Sequence, residues 1–100
     1  LSRGNMRALI DIPLYAQTDL EKVTRIIQQV NQEYAGDQVE ILQEPTILGP
    51  QLADNGQFYF RVSITVQSGS QSTVYHQFYR LYHDALLKGG IDLPTIYAPA

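Results

Sequence analysis

The chain has 100 residues, of which 44% are hydrophobic and 17% charged, with a formal net charge of -3. This length corresponds to one domain with a single core, and no apolar run approaches the roughly 18 to 20 residues of a membrane-spanning helix. The absence of cysteine excludes disulfides, thiol catalysis and cysteine metal sites. The seven Lys and Arg residues are dispersed in an acidic chain, which argues against a nucleic-acid-binding domain.

A first strand is predicted near the N-terminus because apolar and polar residues alternate there. Its apolar series is Met6, Ala8, Ile10, Ile12 and Leu14. Pro13 cannot donate a hydrogen bond to a β-ladder, so we expect a bulge or an unpaired edge at this position.

The next segment has the pattern of an amphipathic helix. Its apolar residues recur at steps of three and four and are Leu20, Val23, Ile27, Val30 and Tyr34. Thr18 and Glu21 have the spacing of a capping box, which predicts Thr18 as the N-cap. We expect this helix to run to about Ala35 and to stop at Gly36.

Two further strands are predicted after this helix, over residues 45–52 and 58–67. Between them, Asn55-Gly56 is a pair suited to the positive backbone angles of a turn. The later strand is strictly alternating, with Phe58, Phe60, Val62, Ile64 and Val66 on one face and Tyr59, Arg61, Ser63, Thr65 and Gln67 on the other. The pattern of residues 39–43 fits no single state and leaves their structure open.

A second helix is predicted from a Ser or Thr cap within residues 70–73 to Lys88. Its apolar face consists of Val74, Phe78, Leu81, Tyr82, Ala85 and Leu86. Gly89 or Gly90 can adopt the left-handed conformation that ends a helix. We expect residues 91–93, which precede Pro94, to form a short final strand.

The resulting order is strand, helix, strand, strand, helix, strand. Two right-handed crossovers around a central hairpin predict an α+β fold of the split βαβ (ferredoxin-like) type. This is a two-layer sandwich in which a four-stranded antiparallel sheet carries both helices on one face. Because this fold hosts unrelated functions, function has to be argued from sites.

Two chemistries known for this topology are not favoured by the residues. Phe58 and Phe60 alternate like the stacking aromatics of an RNA-recognition module, but they share a face with aliphatic residues and are better explained as core. Acyl-phosphate hydrolysis would need a glycine-rich loop with an arginine before the first helix. Residues 15–18 read Tyr-Ala-Gln-Thr and contain neither.

The two histidines do not predict a metal site. His76 and His83 are seven residues apart, which separates them by about 10.5 Å along a helix axis, too far for one ion. We interpret them as solvated or helix-end histidines. Asp84 follows His83 but is expected to point elsewhere on the helix, and no Ser-His-Asp arrangement can be argued. We therefore predict no catalytic residues, no metal and no cofactor.

The exposed face of the sheet is a candidate docking surface. Its candidate interface residues are Arg7, Tyr15, Tyr59 and Arg61, because arginine and tyrosine are enriched at protein interfaces. Leu9 and Ser63 are expected on the same face. The alternative is an ordinary solvated sheet face.

Four segments taken in order resemble the carboxyl-terminal cytoplasmic α/β domain of the small-conductance mechanosensitive ion channel family. Residues 1–3 (Leu-Ser-Arg) are similar to the exit from that family's preceding β domain. Tyr15 and residues 18–23 (Thr-Asp-Leu-Glu-Lys-Val) resemble its first strand-to-helix junction. Residues 44–49 (Glu-Pro-Thr-Ile-Leu-Gly) and 90–94 (Gly-Ile-Asp-Leu-Pro) resemble a later strand and the ending of the domain. The resemblance covers almost the whole chain.

The resemblance implies a non-enzymatic subunit domain of a homoheptamer in the cell membrane. In that family the cytoplasmic domains form a hollow cage that ions and small solutes cross, and the membrane is reached only through upstream helices. Residues 1–5 would then be a linker from an upstream β domain, residues 6–97 the single cytoplasmic domain and residues 98–100 a tail. The alternative function is a free-standing, small-ligand-binding regulatory module of ferredoxin-like fold. A small hydrolase is a third hypothesis.

Overall fold

The computed structural model describes residues 5–94 and has an α+β architecture. Its elements are β1 (Asn5–Pro13), α1 (Leu20–Tyr34), a short 3-10 helix (Ala35–Asp37), β2 (Thr46–Leu52), β3 (Phe58–Gln67) and α2 (Gln71–Lys88). The strands form one antiparallel sheet in the order β1-β3-β2. Residue 5 was predicted to belong to an N-terminal linker, but β1 already begins at Asn5. The rest of the predicted linker, residues 1–4, and the predicted tail, residues 98–100, lie outside the described residues.

The core forms between the sheet and the two helices. β1 contributes alternate buried residues, as predicted, but Met6 is 40% exposed, so the buried series begins at Ala8. The fully buried side chains of greatest volume are Tyr82, Phe60, Phe78, Ile10, Ile12, Ile27, Ile64 and Leu86. The centre of each predicted apolar stripe is therefore buried. The predicted stripe of α1 is wrong at its end, because Tyr34 is 40% exposed.

Pro13 lies at the end of β1 and costs the sheet no hydrogen bond. The Leu14 amide donates to the Phe58 carbonyl at 3.0 Å, in continuation of the β1–β3 register. Because hydrogen-bonding direction alternates along an antiparallel strand, even-numbered residues of β1 bond to β3 and odd-numbered residues point their backbone groups away. Among residues 5–94 no strand pairs with this side of β1. The bulge occurs in β2 and not at Pro13, between Ile47 and Gly49.

The N-cap of α1 is Asp19, and the prediction of Thr18 is wrong. Asp19 has an extended backbone, with φ -71° and ψ 98°, and its Oδ1 accepts a hydrogen bond from the Lys22 amide at 3.2 Å. The Thr18 amide donates to the Tyr15 carbonyl at 3.1 Å. This turn fixes Thr18 before the helix starts, so the next residue becomes the cap. The predicted end of the helix near Gly36 agrees within two residues.

Replacing Asp19 with Ala is expected to destabilise the protein by about 1 kcal/mol, because the Lys22 amide loses its side-chain acceptor. The matched control is Thr18→Ala, which is expected to change the unfolding free energy much less. Urea denaturation of both variants measures the difference. A larger loss for Thr18→Ala than for Asp19→Ala would contradict the observed cap.

The segment that the sequence left open, residues 39–43, approaches β3 just before the start of β2. Ile41 forms an isolated bridge with Val66. The Leu42 amide donates to the Thr65 carbonyl, and the Gln67 amide donates to the Glu40 carbonyl, both at 2.9 Å. The predicted strands and the turn between them are confirmed, and Gly56 has the positive φ of 87° that the turn requires.

The end of α2 explains why the predicted fourth strand is not present in residues 91–94. The helix ends at Lys88, as predicted, and Gly90 has φ 88°. The Gly90 amide then donates to the Leu87 carbonyl at 3.1 Å and the Ile91 amide to the Leu86 carbonyl at 3.0 Å, which is the Schellman arrangement. Ile91 is only 6% exposed, so its side chain completes the core. The predicted order βαββαβ is therefore wrong for residues 5–94, which form βαββα.

Candidate functional site

An arginine–carboxylate pair lies on the face of the sheet that points away from the helices. Asp11 of β1 and Arg61 of β3 are directly opposite in the register. The Arg61 Nε donates to Asp11 Oδ1 at 2.8 Å, and its Nη2 donates to Asp11 Oδ2 at 3.0 Å. This two-point geometry fixes the plane of the guanidinium.

Tyr59 completes this cluster on the next residue of the same face of β3. The Arg61 Cζ lies 5.3 Å from the centre of the Tyr59 ring, a distance typical of a cation–π contact. The Arg61 Nη2 also lies 3.4 Å from the Tyr59 hydroxyl oxygen. The hydrogen bond to Asp11 raises the pKa of Arg61, and desolvation opposes that shift. We call Asp11, Tyr59 and Arg61 the sheet-face cluster.

The other two candidate interface residues lie apart from the sheet-face cluster. Arg7 is exposed and pairs in register with Thr65, four residues along β1 from Asp11. Tyr15 follows the end of β1 and is 44% exposed. It lines a depression between the start of α1 and the end of α2, together with Lys22 and Gly90. The structure thus brings Tyr59 and Arg61 together, and brings neither Arg7 nor Tyr15 to them.

Leu9 and Ser63, also expected on this face, are paired in register. Leu9 is 41% exposed, whereas Ser63 is a buried polar residue, 6% exposed, in the middle strand of the sheet. The open face therefore combines an exposed apolar side chain with the charged and aromatic groups of the sheet-face cluster.

Asp11 is the member of the cluster that the sequence prediction missed. Its position between two core residues identifies it as outward-facing, but its partner depends on the pairing of β1 with β3. These strands are separated by α1 and β2, so no local signal gives their register. The signal in the sequence that could have predicted this contact was the presence of an Asp and an Arg on the outward faces of two strands.

A second aromatic feature lies along a half-buried side of α2, where Tyr75 and Tyr79 pack against the edge of the core. The ring centres of Tyr75 and Tyr79 are 5.9 Å apart, and the Tyr79 and His83 rings stack at 6.2 Å. His76 meets the Tyr75 ring edge-on at 5.4 Å. Partial burial, and secondarily Tyr75, raise the pKa of Tyr79. We call Tyr75, Tyr79 and His83 the α2 stripe.

His83 is closer to Asp84 than the sequence predicted. The His83 Nδ1 lies 3.7 Å from Asp84 Oδ1, so the expectation that Asp84 points elsewhere on the helix is wrong. The distance is too long for a hydrogen bond. Within residues 5–94, no group of three or more His, Asp or Glu side chains is arranged to hold a metal ion.

A groove separates the outer edge of β1 from α2. Its lining includes Ile12 and Pro13 of β1 and Tyr79, His83 and Leu87 of α2, with Leu93 and Pro94 at one end. Leu87 is 50% exposed. The backbone groups of the odd-numbered β1 residues point toward this side, and among residues 5–94 no strand pairs with them.

The chain matches no protein-family model, and a search of curated proteins found no significant match. None of the helices in the described part of the chain has both the length and the apolar composition needed to cross a membrane.

Proposed function

We propose that this chain is the cytoplasmic, cage-forming domain of a mechanosensitive channel subunit of the small-conductance family. The observation that carries the proposal is the ordered resemblance over residues 1–3, 15–23, 44–49 and 90–94. Single short matches of this kind arise by chance, but their shared order and spacing over almost the whole chain favour a common origin.

Three of the matching segments lie at the ends of helices and strands in this chain. Residues 18–23 contain the Asp19 cap of α1, residues 44–49 lead into β2 and its bulge, and residues 90–94 contain the Schellman ending of α2. Positions of this kind constrain sequence because only a few residue types fit them. A resemblance concentrated at such positions supports a relation in fold as well as in sequence.

The proposed role is assembly and solute filtering without covalent chemistry. In a homoheptameric cage, each domain needs surface groups with a fixed geometry for contact with its neighbours. The sheet-face cluster offers such a group, because two hydrogen bonds to Asp11 and the Tyr59 ring hold Arg61 in place before any partner arrives. Preordering of this kind lowers the entropic cost of association. Membrane attachment would belong to helices upstream of this chain.

We further propose that the complete domain has the four-stranded split βαβ sheet. The observed order β1-β3-β2 leaves the position beside β1 for a fourth strand. Two features support this: the outward-pointing backbone groups of β1, and the groove lined by Tyr79, His83 and Leu87 that would cover such a strand. A strand needs both hydrogen-bonding partners and apolar cover.

Amide hydrogen exchange on the 100-residue chain tests the four-stranded sheet. With a fourth strand in place, the amides of Arg7, Leu9 and Asp11 are expected to exchange slowly, because their N–H groups point toward the groove. Ala8 and Ile10 are the internal controls, since their amides bond to β3 and should be protected in either case. Fast exchange confined to the odd-numbered residues would contradict the fourth strand.

Patch recording on the full-length parent tests the channel function. Membrane tension is expected to open a conductance when the parent is reconstituted in lipid vesicles, and its purified form is expected to sediment as a heptamer. The control is the same preparation without the protein. A parent without membrane helices, or one that gives no tension-activated current, would overturn the proposal and favour the small-ligand-binding module.

A further inference from the structure

No further inference is drawn: the strongest candidate, the half-buried α2 stripe of Tyr75, Tyr79 and His83 on the second helix, shares Tyr79 and His83 with the groove already proposed to hold a fourth strand and so belongs to a site already described.

Discussion

Replacing Phe60 with Ala is expected to lower the free energy of unfolding by about 3 to 5 kcal/mol. Phe60 is 1% exposed and lies in the middle strand of the sheet, within the single core formed with both helices. Removal of its ring costs the transfer free energy of the buried surface and leaves a cavity that strands on both sides hold open. Urea denaturation measures this loss as a lower midpoint at an unchanged slope.

The matched control for Phe60 is Tyr59, an aromatic residue one position away on the opposite face of β3. Tyr59 is partly exposed and contacts Arg61. Its replacement by Ala leaves no closed cavity, so we expect a much smaller loss of stability. Similar small losses for Phe60→Ala and Tyr59→Ala would contradict the assignment of the two faces of β3.

The facing of β3 could be predicted from sequence because it depends on a repeated local signal. Apolar residues at every second position from Phe58 to Val66 agree with a period of two and with no other regular structure. The helix stripes were predictable for the same reason, since several residues at steps of three and four must point one way. Errors at one position do not change such a pattern.

The N-cap of α1 and the state of Ile91 could not be settled in this way, because each depends on a choice between adjacent residues. Thr18 and Asp19 are both good caps, and a backbone turn from Tyr15 decides between them. Ile91 is apolar and precedes a proline by three residues, as a strand end would. In the structure the Ile91 amide instead donates to the Leu86 carbonyl at the end of α2, and the Ile91 side chain is buried in the core.

The candidate site was predictable only in part. Alternation placed Tyr59 and Arg61 together on the outward face of one strand, and both do belong to the sheet-face cluster. The contact with Asp11 spans fifty positions of sequence separation, and it depends on a register that only the folded sheet supplies. Tyr15 was wrongly predicted to lie near Tyr59 and Arg61, because β1 ends at Pro13 and the chain turns at Tyr15 toward α1.

Alkaline pH is expected to destabilise the protein through Tyr82, a tyrosine with no exposed surface. Its hydroxyl donates to the Asn31 Oδ1 at 2.5 Å, and burial raises its pKa. A raised pKa means that the folded state holds the proton more tightly than the unfolded state. The contribution of Tyr82 to the free energy of unfolding is therefore fully present below the unfolded-state pKa of about 10. Above that pH, ionisation of Tyr82 in the unfolded chain lowers the free energy of unfolding by about 1.4 kcal/mol per pH unit.

The variant Tyr82→Phe separates this effect from ionisation of the other six tyrosines. At neutral pH the variant is expected to be less stable by about 1 kcal/mol, because Asn31 loses a hydrogen-bond donor. Above pH of about 10 its stability should fall less steeply than that of the wild type, so the difference shrinks and reverses near pH 11. Urea denaturation at several pH values measures both slopes, with the exposed Tyr15→Phe as the control. Parallel curves for the wild type and Tyr82→Phe would mean that the Tyr82 hydroxyl ionises as readily in the native state as in the unfolded chain. That result would contradict the raised pKa of Tyr82.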